Sequence, residues 1–198
     1  MGDDMCNAMV ILPSMAGFKT ISRKPKNDLM WNSWRILMDI EKLIFQMRKH
    51  KNIIVRKPSM QPNISKGHTL PTDVKEFYEL CGGVSFYTKC GGFPINVLSP
   101  LEVQPANIKI IGKQFDDDIS SSWYLIADAL DGNYISIDFE PSRLGRCYES
   151  FEYSHAIAGN CPILAVSFTQ LLMSLFCYEG DYFFWKEKSF NTLGDAYK

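Results

Sequence analysis

Two runs, Trp123–Asp128 (WYLIAD) and Asn133–Phe139 (NYISIDF), constrain the fold of this chain more than any other stretch. Both are dense in aromatic and aliphatic residues. The segment between them carries Asp131-Gly132, a strong hairpin indicator set here within a longer loop. In the second run Tyr134, Ser136 and Asp138 share one face, and Ile135, Ile137 and Phe139 share the other. That alternation predicts a half-buried strand with a polar outer face. Shorter β-like pieces lie at Asn52–Arg56, Val84–Thr88, Phe93–Leu98 and Arg146–Glu152.

Leu70–Gly83 (LPTDVKEFYELCGG) reads as a short helix with both ends marked. Pro71 fits the first helical position, and Asp73 and Glu76 place negative charge near the positive end of the dipole. Val74, Phe77, Tyr78 and Cys81 form one apolar stripe, and Gly82 or Gly83 can supply a left-handed stop. A longer helix is expected from about Leu29 to His50, capped by Asn27 or Asp28. Met30, Trp34, Leu37, Ile40, Ile44 and Met47 make its stripe. A last helix follows Pro162, with Val166, Phe168, Leu171, Leu172, Leu175 and Phe176 on its apolar side and Gly180 as its stop. Ser99–Glu102 reads as a turn into a short helical segment, and Asp116–Asp118 as an acidic loop. Residues 1–27 form a leader without an assigned role, 28–185 one domain, and 186–198 a polar tail.

With 198 residues, 46% hydrophobic and 22% charged, the chain is an ordinary globular length and composition. Lys and Arg total 21 against 22 for Asp and Glu, so no basic excess marks it for nucleic acid. The opening MGDDM is acidic where a secretion signal would be basic, and the apolar run MVILP is too short to span a bilayer. The expected compartment is the cytoplasm, with no membrane partner. Cys6, Cys81, Cys90, Cys147, Cys161 and Cys177 are scattered without a CxxC pair, as in a protein with reduced thiols.

A catalytic constellation is hard to assemble. His50, His68 and His155 fall in no metal spacing, and Cys90-Gly91-Gly92 lacks the rest of a phosphate loop. Asp128, Asp131 and Asp138 lack calcium-loop spacing and are read as turn residues. No catalytic residue, metal or cofactor is therefore expected; the enzymatic alternative is a hydrolase pairing His68 with Cys81 or Cys90. The middle third is acidic instead. Asp116, Asp117, Asp118, Asp128, Asp131, Asp138 and Glu149, with the aromatics Trp123, Tyr124 and Tyr134, are the candidate partner-binding residues. Such a face would speed association with a basic partner.

Three blocks, in order, resemble the SUKH superfamily, whose yeast members include the Smi–Knr-type cell-wall-synthesis regulators. They are LPTDVKEFYELCGG, WYLIADALDGNYISID and ILAVSFTQLLMSL. Trp34 in the upstream helix and LSPLE at 98–102 also sit where the family has them, so the likeness spans about residues 28–180. The resemblance implies a single α+β domain: a curved, mainly antiparallel sheet with helices packed against one side. It also implies a non-enzymatic role. Bacterial members resemble immunity proteins that sequester a polymorphic or contact-dependent toxin, often a nuclease. Eukaryotic members resemble intracellular regulatory scaffolds, the alternative role. The expected partner is thus a protein, the C-terminal domain of a cognate toxin; the oligomeric state is left open.

Overall fold

The computed structural model describes residues 39–88, 93–177, 180, 183–188 and 190–198. Seven strands form one antiparallel sheet in chain order: β1 (Ile53–Val55), β2 (Val84–Phe86), β3 (Ile95–Val97), β4 (Trp123–Asp128), β5 (Asn133–Asp138), β6 (Cys147–Phe151) and β7 (Ile163–Ala165). Four helices accompany it among the described residues: α1 (Ile40–Lys49), α2 (Thr72–Leu80), α3 (Ala106–Ile111) and α4 (Phe168–Cys177). Helices α1, α2 and α4 pack on one another, and α3 lies against β4. This is the single α+β domain with an antiparallel sheet that the resemblance implies.

The three packed helices are tied at their ends by polar side chains from their neighbours. Arg48, near the end of α1, donates to the Leu80 carbonyl at the end of α2 (2.8 Å). Asp73 on α2 accepts from the Thr169 backbone N–H (2.9 Å) and hydroxyl (3.1 Å), so it caps α4 from another helix. Between the helices, Phe77 meets Phe168 edge to face at 5.0 Å.

Several boundaries differ from expectation. Helix α1 starts after Asp39, whose side chain accepts from the Lys42 N–H; the expected turns upstream of Asp39 lie outside the described residues, as does Trp34. Pro71 is the N-cap of α2 rather than its first helical residue, and the helix stops at an extended Cys81 rather than a left-handed glycine. Gly82 and Gly83 are needed for space. A Cβ on Gly82 would strike the Lys57 carbonyl, and one on Gly83 the Arg56 guanidinium, which bonds the Gly82 and Val97 carbonyls and Ser85 there.

The run Ile163–Ala165, expected inside the last helix, is a strand paired with β6. Its helix begins only at Phe168, because Ser167 accepts from the Gln170 N–H and Gln170 reaches back to the Val166 N–H. Val166, expected on the apolar side, is 50% exposed. The segment expected as a polar tail docks on the far edge of the sheet: Ile163 donates to the Gly194 carbonyl, and the Asp195 carboxylate accepts from the Gly159 and Cys161 N–H groups.

The polar face of β5 is not open to water. Ser136 and Asp138 are 0% exposed. Residues opposite one another in a ladder share a face, so Trp123 and Tyr148, aligned with Asp138 and Ser136, lie on that face and stack at 4.4 Å. Asp138 collects donors from all sides. Its carboxylate accepts from Ser122 Oγ (2.7 Å), Trp123 Nε1 (3.1 Å), the Glu140 N–H (2.9 Å), Arg143 Nε (2.8 Å) and Tyr148 OH (3.2 Å). Replacing Asp138 with Ala strips five donors of one acceptor and leaves the Arg143 charge unpaired, so the expected loss of unfolding free energy is roughly 3–5 kcal/mol, read as a fall in the urea midpoint at unchanged m-value.

His155 is 4% exposed and packs against Trp123. Asn107 donates its amide to Ser120 and so turns Oδ1 toward His155 Nε2 (2.8 Å). The proton therefore sits on Nε2, and Nδ1 has no partner. Burial lowers the imidazole pKa to about 4, against partial opposition from Asp118. The folded state thus holds this ring neutral where the unfolded chain, near pKa ~6.5, would protonate it. Its stabilising contribution is complete above the unfolded pKa and declines as pH falls from ~6.5 toward 4. Urea titrations across that window show the decline in the native protein, and His155→Gln flattens the part due to this ring.

Candidate functional site

The ten residues read from the sequence as partner-binding do not form one face. Trp123 (0% exposed), Tyr124 (1%), Asp138 (0%) and Glu149 (3%) are interior, so they cannot meet a docking partner with their side chains. Trp123 and Asp138 belong to the buried cluster above. Glu149 receives the Trp185 indole N–H (2.6 Å) and the Lys186 ammonium (2.7 Å), and so anchors the 3-10 segment Phe184–Lys186. The sequence reading failed here because a carboxylate on a strand looks the same whether it faces water or a set of buried donors.

The remaining six divide between the two ends of β4. At one end the hairpin tip holds Asp128, Asp131 and Tyr134. Asp128 accepts from the Leu130 N–H (2.7 Å), and Leu130 (φ 69°), Asp131 (φ 53°) and Gly132 (φ 78°) all take left-handed backbone. At the other end a 3-10 segment, Ile119–Ser122, leads into Trp123. Asp118 caps that segment, accepting from the Ser120 N–H and from Tyr197 OH (both 2.8 Å). Asp116 and Asp117 stay exposed before it. Five strand steps of about 3.3 Å put the two acidic ends roughly 17 Å apart.

The second end opens onto a groove in two compartments, between the segment 60–68 and the segment 100–124. One compartment, about 480 Å³, is bordered by Met60, Ile64, Pro100, Leu101 and Val103. The other, about 430 Å³, is bordered by His68, Ile108, Gln114, Asp116 and Ser121. Ser65, Pro105 and Tyr124 line both and join them. The rim carries unusually exposed apolar side chains: Leu101 at 79%, Met60 at 52% and Ile108 at 46%.

Tyr124 is the fixed point of this groove. Its ring stacks on Phe139 at 4.7 Å, and its hydroxyl accepts from the Ser65 N–H (3.0 Å) and meets His68 Nδ1 (3.0 Å). Two neighbouring β4 residues, Trp123 and Tyr124, thus secure opposite faces of the sheet. The groove residues Met60, Leu101 and Ile108 were missed in the sequence because they belong to no periodic run. The available signal was Leu101 itself, a leucine in a Ser-Pro-Leu-Glu turn.

The hydrolase alternative finds no support among these residues. His68 is committed to Tyr124, and Cys81 is fully buried at the end of α2, where burial pushes its thiol up to about 11. Such a thiol is protonated at neutral pH. Cys90 lies outside the described residues. No group of three or more metal-ligating side chains occurs among the described residues, nor a helix long and apolar enough to cross a membrane.

Removing the Tyr124 hydroxyl tests how the groove wall is held. Tyr124→Phe leaves the Ser65 N–H without its acceptor, so hydrogen exchange at that amide accelerates. Global stability falls by only about 1 kcal/mol, the usual net worth of one such bond.

Comparison with known proteins places this architecture. The family described as SMI1 / KNR4 (SUKH-1) matches residues 65–174, which include α2, part of the groove lining and most of the sheet. Immunity protein YokJ of Bacillus subtilis (strain 168) is 36% identical over 160 residues, covering 81% of this chain and 96% of that protein. No solved structure matches the chain. A family match over more than half of the sequence, with a relative aligned along nearly its whole length, establishes that the chain belongs to the SMI1/KNR4 (SUKH-1) family.

Proposed function

We propose that this protein is an immunity protein that neutralises a cognate toxin by stoichiometric binding, without turnover. The observation that carries the reading is the 36% identity to an immunity protein across 96% of that protein's length. The partner is the toxic C-terminal domain of a larger protein, a nuclease being the class whose basic substrate groove an acidic surface would mask. Asp116 and Asp117 are the acidic residues best placed for this. Both are exposed, and among the described residues neither carboxylate has a hydrogen bond or ion pair, whereas Asp118 is committed to its cap. An unpaired carboxylate at a rim acts mainly on the rate of encounter.

The test is co-purification of the tagged full chain from its host, followed by expression of the recovered partner's C-terminal domain with and without this protein. The expected result is growth arrest by the domain alone, rescue on co-expression and a one-to-one complex in solution. The double variant Asp116→Lys, Asp117→Lys slows association by roughly tenfold at low salt, and the difference shrinks as salt is added. A toxic domain that the wild-type protein neither binds nor silences sinks the proposal. Recovery of several signalling proteins in place of one toxin supports a regulatory scaffold.

A further inference from the structure

The two compartments of the groove differ in chemistry, and the difference specifies an occupant. The compartment with Met60, Ile64, Pro100, Leu101 and Val103 is bordered by apolar side chains. Leu101 and Met60 remain largely exposed at its rim. The compartment with His68, Gln114, Asp116 and Ser121 carries an excess of acceptors. Gln114 donates its amide to the Ser121 carbonyl (2.8 Å), which fixes its orientation and leaves Oε1 buried with no partner. Asp116 borders the same space, and its carboxylate has no partner among the described residues. Neither Lys109 nor Lys113 lines the compartment, and the Lys113 ammonium is placed over the Phe115 ring (4.7 Å).

The exposed Asp116 carboxylate, bordering a recess that no lysine or arginine lines, calls for a cationic donor, which is the chemistry of a guanidinium or an ammonium. An apolar recess directly beside it calls for an aliphatic or aromatic side chain. We infer that the groove seats a single segment of a protein partner that places an Arg or Lys against Asp116 and an apolar side chain between Met60 and Leu101. This rests on the immunity reading for the identity of the partner, but the recognition chemistry belongs to the groove itself. Tyr124, shared by both compartments, sets the spacing between the two anchors.

The test measures affinity of the toxic domain for the full chain carrying Asp116→Asn, Met60→Ser or Leu101→Ser, with thermal melting as the check on folding. Each variant is expected to weaken binding by roughly tenfold or more, while Leu193→Ser, exposed and away from the groove, leaves it unchanged. Replacing each partner Arg and Lys by Ala identifies one whose loss is not additive with Asp116→Asn but is additive with Leu101→Ser. Unchanged affinity in the three groove variants, with wild-type binding intact, overturns the inference and leaves the immunity reading standing.

If the wild-type chain binds no toxic domain, the immunity reading falls and the groove is judged by amino-acid probes. Arginine amide should then shift the amide resonances of Gln114, Asp116 and Ser121, and leucine amide those of Met60, Leu101 and Val103. Asp116→Asn should abolish only the first set. Absence of either localised shift overturns the inference.

Discussion

The buried carboxylate of Asp138 is the constraint on which the rest of the sheet depends. A carboxyl group at 0% exposure is tolerated only where donors replace its lost water. Here those donors come from the 3-10 segment (Ser122), β4 (Trp123), the turn after β5 (Glu140 and Arg143) and β6 (Tyr148). Satisfying one charge therefore fixes the relative positions of four segments. Because Ser122 ends the segment that Asp118 begins, the same cluster sets where the exposed Asp116 and Asp117 stand. The interior charge positions the surface charge.

How much of this could be read from the chain depends on whether the signal was local. The hairpin was legible because its alternation and Asp-Gly turn are local: β4 spans Trp123–Asp128 as expected, and β5 is one residue shorter than the run that predicted it. Helix α2 was legible for the same reason, although its end was misread because the glycines serve a close approach by Arg56 and Lys57, a contact made far away in sequence. Strand β7 was lost inside an apolar run, since Ile163–Ala165 and the following leucines have no break in hydrophobicity. The break is the Ser167–Gln170 cap, a polar pattern in an apolar context.

The candidate site was less legible than the fold. Acidic residues were counted along the sequence, but pairing in the sheet decides which of them reach solvent. Asp138 and Glu149 turn inward because they face Arg143, Trp185 and Lys186, and nothing in their immediate neighbours announces that. The groove is built from two segments without periodicity, joined by the single hydroxyl of Tyr124. Its aromatic floor was named from sequence for the wrong reason: Tyr124 organises the wall and offers its own ring to Phe139.

Asp116 and Asp138 show how one residue type serves two ends. Asp138 was desolvated by folding, and its donors were supplied then; it has nothing left to offer a partner. Asp116 keeps its water and its acceptor capacity, so folding leaves it nearly neutral in energy. A partner that covers the groove removes that water. If it brings a cation, a charge-assisted bond replaces the hydration; if it brings an apolar surface, the carboxylate is left unsatisfied. The penalty falls on the wrong partner, so an unpaired acceptor at the rim contributes more to discrimination than to affinity. The neighbouring apolar recess makes the opposite division: it rewards burial of any fitting side chain and discriminates weakly among them.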